Sequence, residues 1–186
     1  MSNSIYLLRH AETKIDSNKS ARDWELTEAG TLSSMELAKS HVFSKIEGIV
    51  HSSENKARTT ADIIAKETGA ETYELEEFDE LKRNNKGFLT NEEYRALVKE
   101  ILTNWEQPVQ DCESGTDALA RFTDGIRRTN MMFYNKNVLI VSHGLVLTLY
   151  FSTLTHFRKI AYERWTQLKF LSWGLVRDTN VLIDIV

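Results

Sequence analysis

At 186 residues the chain is long enough for one domain with a full core, alone or with a small lid. Its 41% hydrophobic and 27% charged residues are the proportions of a soluble protein, and a formal charge of -4 argues against a nucleic-acid binder, which ordinarily presents a net basic face. The single cysteine, Cys112, excludes an internal disulfide and a cysteine-rich zinc site; its acidic, polar neighbours predict an exposed loop in a reducing, cytoplasmic setting. The start, Met1 to Ser4, carries no basic residue, and the apolar run after it is too short for a signal peptide. No stretch is long enough to span a bilayer, so neither a membrane nor a nucleic acid is expected as a partner.

The first element is the apolar run Ile5-Tyr6-Leu7-Leu8, which stops at Arg9-His10. A continuous apolar run ending in polar residues reads as a buried strand whose last side chains reach the carboxyl edge of a sheet, where open α/β folds place ligands. Ala11 to Trp24 is a polar loop long enough to fold over whatever binds beside His10. Thr27 is an N-cap candidate for a helix that ends near Gly48, with Glu28 placed well against its dipole and Leu32, Met35, Leu37, Ala38, Val42 and Ile46 as its buried stripe.

Ile49-Val50-His51-Ser52 reads as a second strand, with Ser52 and Ser53 at its end and Lys56 and Arg58 one turn into the next helix. That helix runs from Glu54 to Thr68, with Ala57, Ala61, Ile64 and Ala65 on one face and Gly69 as C-cap. Glu71 to Leu75 reads as a third strand, followed by the charged run from Glu76 to Gly87. Helical spacing then covers Asn91 to Trp105, and a second helix starts at Ser114, where Ser114-Gly115-Thr116-Asp117 resembles a capping box. Its stripe is Leu119, Phe122, Ile126 and Phe133. Val138 to Val141 repeats the opening design, ending in Ser142-His143-Gly144 before the apolar helix Leu145 to Leu154. Lys169 to Val176 and Val181 to Val186 close the chain as strands.

The pattern predicts an α/β three-layer sandwich, a mostly parallel central sheet flanked by helices. It forms a single domain over 1–186, with residues from about 82 to about 135 as a helical insertion over the C-terminal sheet edge.

Strand ends would bring Arg9, His10, Lys56, His143 and Gly144 to one edge. Arg9 offers a planar fork of donors, Lys56 a compact ammonium, and Gly144 a backbone amide at a helix start, all suited to phosphate. Fixed positive charge beside a neutral imidazole is what phosphoryl transfer needs: one histidine attacks phosphorus while cations hold the other oxygens. No metal is expected. There is no H-x-x-x-H, the single H-x-E at His10-Ala11-Glu12 has no cysteine pair after it, and neighbouring cations would repel a divalent ion.

Four motifs together resemble the histidine phosphatase superfamily, in its phosphoglycerate mutase-like branch. They are Leu8-Arg9-His10-Ala11-Glu12-Thr13, with Ala in place of the family's glycine, Leu26-Thr27-Glu28-Ala29-Gly30, Ser52 to Ala61, and Val141-Ser142-His143-Gly144. The resemblance implies a small phosphatase-type enzyme that needs no cofactor and acts on a small phosphorylated substrate. His10 would be the nucleophile, with Arg9, Lys56, Gly144 and His143 around the phosphoryl group; Lys56 stands where the family has an arginine. It also implies a carboxylic general acid after the third strand. Glu80 is the choice and Asp79 the competitor, while an alignment anchored on Gly87 puts Arg83 in the acid's place. A mutase is the second expectation, opposed by the short chain and by Asp16, which stands where mutases carry asparagine. A pseudoenzyme that binds a phosphorylated ligand is the third. The substrate pocket is expected from Lys82 to Leu89 and Trp105 to Gly115. The oligomeric state stays open, a homodimer being one candidate.

Overall fold

The computed structural model describes residues 3–83 and 88–186. Six strands form one sheet in the order β3-β2-β4-β1-β5-β6. These are β1 (Ser4–Arg9), β2 (Gly48–His51), β3 (Thr72–Glu74), β4 (Asn137–Ser142), β5 (Trp173–Arg177) and β6 (Asn180–Ile183). The first four run parallel, and β5 and β6 add an antiparallel edge beside β1. Among the described residues the α-helices are α1 (Glu28–Lys39), α2 (Asn55–Thr68), α3 (Asn91–Thr103), α4 (Gly115–Met132), α5 (Gly144–Leu154) and α6 (Ala161–Gln167), with short 3-10 turns between some of them. The α/β class and the mostly parallel sheet agree with the sequence reading.

Alternation along the central strands builds the layers, because successive side chains leave a strand on opposite faces. Leu7, Val50, Val138 and Ile140 join α3, α4 and α5 in one core. Leu8, Ile49, Leu139 and Val141 join Ala38 of α1 and Ala57, Ala61 and Ile64 of α2 in the other. Both faces are covered, which explains why β1 and β4 read as unbroken apolar runs instead of alternating ones.

Local signals hold at several helix ends. Thr27 accepts the Gly30 N–H at 2.8 Å, Ser114 accepts the Asp117 N–H at 3.0 Å, and Gly69 closes α2 in the left-handed region at φ 73°. Gly30 is needed for close approach, since a Cβ there would meet the Glu12 carbonyl oxygen at 2.4 Å.

Four expectations need correction. The first helix ends at Lys39, followed by a short 3-10 turn over His41–Phe43, and its buried face is Gly30, Ser34 and Ala38; Leu32 and Met35 are exposed. Small residues face inward there because α1 packs against α2. Cys112 is buried and joins the first core, since Arg83 and Cys112 form an isolated β-bridge that draws the loop inward. The fifth strand starts at Trp173 and not at Lys169, because residues 168–172 lean on the end of β1 instead of pairing along it. The sequence reading also missed α6, a helix of seven residues.

Candidate active site

Register brings the site together before any side chain acts. β1 lies beside β4 with Arg9 opposite Ser142, and the His10 N–H donates to the Ser142 carbonyl at 2.9 Å. β2 flanks β4 on its other side, and the Ser52 N–H donates to the Val141 carbonyl at 3.1 Å. His10, Ser52 and His143 therefore follow three adjacent parallel strands, at the carboxyl edge where such sheets bind ligands.

His10 is almost fully buried, and its Nδ1 lies 2.7 Å from the Ala11 carbonyl oxygen. A carbonyl only accepts, so Nδ1 carries the proton and Nε2 carries the lone pair. Burial, then His143, Lys56 and Arg9, hold its pKa well below the usual histidine value. The ring is neutral and its basic nitrogen is available.

Phe170 packs against this ring, and Arg9 lies over Phe170. The guanidinium lies 4.3 Å from the Phe170 ring centre, whose own centre is 5.7 Å from that of His10. Nη1 of Arg9 donates to the Leu168 carbonyl at 2.5 Å, and Nε is buried without a partner. Gly144 opens α5 against Arg9, where a Cβ would come within 3.3 Å of the guanidinium carbon.

His143 is fully buried, 5.1 Å ring to ring from His10. Its Nε2 lies 2.7 Å from Ser52 Oγ, and Ser52 Oγ lies 2.7 Å from Asp79 Oδ1. The serine has one proton. Asp79 also takes the Ser53 N–H at 2.8 Å and Arg22 Nη1 at 2.9 Å, so it is the acceptor and Ser52 donates to it. Ser52 Oγ then accepts from His143 Nε2–H, and from the Glu54 N–H at 3.1 Å. In neutral His143 the other nitrogen, Nδ1, bears the lone pair; it is buried with no partner. Burial first, then Lys56 and Arg9, keep this imidazole neutral by lowering its pKa well below 6.5.

Lys56 is buried, its Nζ donating to the Ala21 carbonyl at 2.7 Å and to Glu54 Oε2 at 2.5 Å. The first of these bonds shows that the loop from Ala11 to Trp24 does reach the site. Asp16 in that loop accepts the Asn18 N–H within its own turn. Arg58 points elsewhere, exposed and 4.0 Å from Glu74.

Glu80 and Asp79 part company in space. Glu80 Oε2 accepts the Leu145 N–H at 3.0 Å and Oε1 the Val146 N–H at 3.1 Å, so its carboxylate sits on the first turn of α5. Burial pushes its pKa up, opposed by those amides and assisted by Glu54. Asp79 is turned away into the Ser52, Ser53 and Arg22 network. The segment carrying both is held from α4 by Arg121, whose Nη1 donates to the carbonyls of Glu77 at 2.9 Å and Asp79 at 3.0 Å, and which pairs with Glu113 at 2.7 Å.

Arg83 lies beside Tyr94 of α3, its guanidinium carbon 5.6 Å from the ring centre, and the Tyr94 ring is 5.9 Å from that of Trp165. Burial, then Glu80, raises the Tyr94 pKa, with Arg83 and Arg9 acting against the rise. Of the stretches expected to shape the pocket, residues 84–87 lie outside the described residues, Gly87 among them. In the other, Trp105, Val109 and Cys112 are turned into the core. Among the described residues, no three of His, Cys, Asp and Glu are grouped to hold a metal ion, and no helix is long and apolar enough to cross a membrane.

Sequence reasoning brought together Arg9, His10, Lys56, Glu80, His143 and Gly144, and the structure brings all six into one neighbourhood at the sheet edge. It missed the parts played by Glu54, Arg22, Arg121, Tyr94 and Phe170. A buried-face signal existed for Tyr94, which shares the helical spacing of Leu97, Val98 and Ile101 in α3.

A family model described as histidine phosphatase superfamily (branch 1) matches residues 5–177. No curated protein matches the chain in sequence. Among solved structures, Bacillus stearothermophilus YhfR is 22% identical with a TM-score of 0.79, over 98% of this chain and 95% of that one. A mycobacterial glucosyl-3-phosphoglycerate phosphatase is 19% identical with a TM-score of 0.77, over 98% of both chains. A phosphoserine phosphatase from Entamoeba histolytica, solved with 3-phosphoglyceric acid, is 21% identical with a TM-score of 0.73, over 96% of both.

Proposed function

Because the chain belongs to branch 1 of the histidine phosphatase superfamily, we propose that it is a phosphomonoesterase for a small phosphorylated substrate, acting through a phosphohistidine on His10. The observation that carries this reading is the tautomer of His10: Nδ1–H is committed to the Ala11 carbonyl, which leaves a neutral, basic Nε2 beside Arg9, Lys56 and His143. The phosphatase names among the structural neighbours are in keeping with it.

In the first step Nε2 of His10 bonds to phosphorus and the ester P–O bond breaks, its electron pair leaving on the substrate oxygen. Glu80 gives that oxygen a proton. Burial favours the protonated carboxyl group, which supports an acid role for a carboxyl held at the start of α5. In the second step the Glu80 carboxylate takes a proton from water, the water oxygen bonds to phosphorus, and the N–P bond breaks to free His10. Arg9 stabilises the charge that develops on the phosphoryl oxygens, His143 lines the same group, and Gly144 keeps α5 close to Arg9.

A catalytically weak, phosphate-binding role is the second reading, and one observation favours it: the Lys56 charge is already paired with Glu54. Rapid quench with a phosphorus-labelled monoester separates the two. The hydrolase reading expects a burst of label on His10, stable in base and lost in acid. Turnover without labelled protein would sink the phosphohistidine route, and binding without turnover would favour the second reading.

A further inference from the structure

The groups expected to bind the phosphoryl oxygens already have internal anions. Glu54 Oε2 holds Lys56 Nζ at 2.5 Å, while Oε1 accepts the Glu80 N–H at 3.0 Å and stands 3.9 Å from His143 Nε2. Both members of the Glu54–Lys56 pair are buried, so water does little to weaken the match. The start of α5, an anion site by its dipole, is taken by the Glu80 carboxyl group. Around His10 the Lys56 and Glu54 charges cancel and both imidazoles are neutral. Among the described residues, the cations that act on His10 are Lys56 and Arg9, and with Lys56 paired Arg9 leaves one positive charge there, too little for a doubly charged phosphoryl group.

His143 makes the same point by different means. Its Nε2–H is committed to Ser52, which is itself fixed by Asp79. The buried, unpartnered Nδ1 offers a lone pair, which repels a bare phosphoryl oxygen and accepts from a protonated one.

We propose that this site takes its phosphoryl group as the singly protonated monoanion, with Glu54 setting that preference by neutralising Lys56 and His143 Nδ1 accepting the phosphoryl O–H. The inference rests on the reading that phosphate lies among Arg9, His10, Lys56 and His143. Glu54 is a positioning residue here, acting through Lys56. It is faced by Lys56 on its own helix, by Arg22 of the loop, by Glu80, by Tyr94 of α3 and by His143; His143 is faced by Lys56, Arg9, Arg121, Arg22 and His10. Titration of any of these acts on every bound anion alike. The test therefore compares two anions of one shape, of which only one gains a proton.

Calorimetric titration of the intact protein with inorganic phosphate and with sulfate, from acid pH to well above the second ionisation of phosphate, makes that comparison. Phosphate should bind more tightly than sulfate at acid pH and lose about tenfold in affinity per pH unit above its ionisation, while sulfate stays weak throughout. Glu54→Gln should tighten sulfate by about tenfold or more and flatten the phosphate profile. Equal affinity of the wild type for both anions at every pH overturns the proposal, even if Glu54→Gln fails to fold. Binding of neither anion overturns the phosphoryl site itself, and the proposal with it.

Discussion

On the side of the crevice that carries His10, the proposed nucleophile, position comes from the backbone. His10 is fixed by the β1/β4 register, by its N–H on Ser142 and by its ring on the Ala11 carbonyl, all of which any sequence that forms these two strands would supply. On the side of the proposed acid, Glu80 follows a three-residue strand and a 3-10 turn, and side chains hold its segment: Arg121 grips it, Arg22 and Ser53 hold Asp79, and Glu54 takes the Glu80 N–H. A register is shared among many hydrogen bonds and resists single changes. A clamp of a few charged groups moves when one is lost. The two halves should therefore fail in different ways.

The largest effect is expected where the chemistry is unique. His10→Ala should lower turnover by roughly 10⁴-fold or more and remove the phosphoenzyme, with thermal unfolding little changed because backbone register does not depend on the ring. A rate near wild type, measured with a purified folded variant, would refute the assignment. Next is Glu80→Gln, expected to slow alkyl phosphates by ~10²–10⁴-fold and nitrophenyl phosphate far less, since an alkoxide needs the proton and a nitrophenolate barely does. Asp79→Asn should slow both substrates alike, because Asp79 acts through Ser52 on His143. A selective alkyl loss in that variant would move the acid role to Asp79.

Arg121→Ala tests the clamp and should cost ~10²-fold in kcat on alkyl phosphates through displacement of Glu80. A loss confined to stability, with kcat intact, would leave Arg121 a purely structural residue. The pH profile sharpens the same contrast. A raised Glu80 pKa keeps the acid protonated above the usual carboxylate range, so the alkyl rate falls as pH rises past that value. The lowered His10 pKa keeps the nucleophile neutral well into acid, so the nucleophile limb should lie below the ordinary histidine range. A profile rising through neutral pH would contradict both assignments. The smallest effect is expected for Gly144→Ala: its Cβ would press the Arg9 guanidinium at 3.3 Å, a contact a slight shift relieves. An increase in KM within about tenfold is expected, and no change would show that Arg9 has slack.

The same division decides what was legible in the sequence. Val138 to Val141 and Ile5 to Leu8 announce buried strands by composition alone, and their polar endings placed His10 and His143 at one edge. Thr27, Ser114 and Gly69 marked helix ends because caps are local chemistry. Arg121 could not be found this way: it lies in the middle of α4, some forty residues from the carbonyls it holds, and nothing local distinguishes it from Arg127 or Arg128. Glu54 is legible only afterwards, since a carboxylate at a helix start reads as a favourable dipole partner until its Lys56 bond is seen. Leu32 and Met35 misled because apolar spacing was taken for the inward face, whereas a close helix pair prefers small residues. Phe170 lies in irregular chain, where periodicity says nothing.

The place of β1 in the sheet has a consequence for how the molecule comes into being. Its first residue pairs with Asn137 on one side and Arg177 on the other, so β1 finds both neighbours only far along the chain. Closing such long loops must precede the contacts that reward it, which makes for slow folding and leaves β1 an open edge meanwhile. Leu168 and Ser172, which bind the Arg9 side chain and backbone, also lie far along the chain from it. The crevice is thus completed late: His10 is synthesised well before the segment that closes around it.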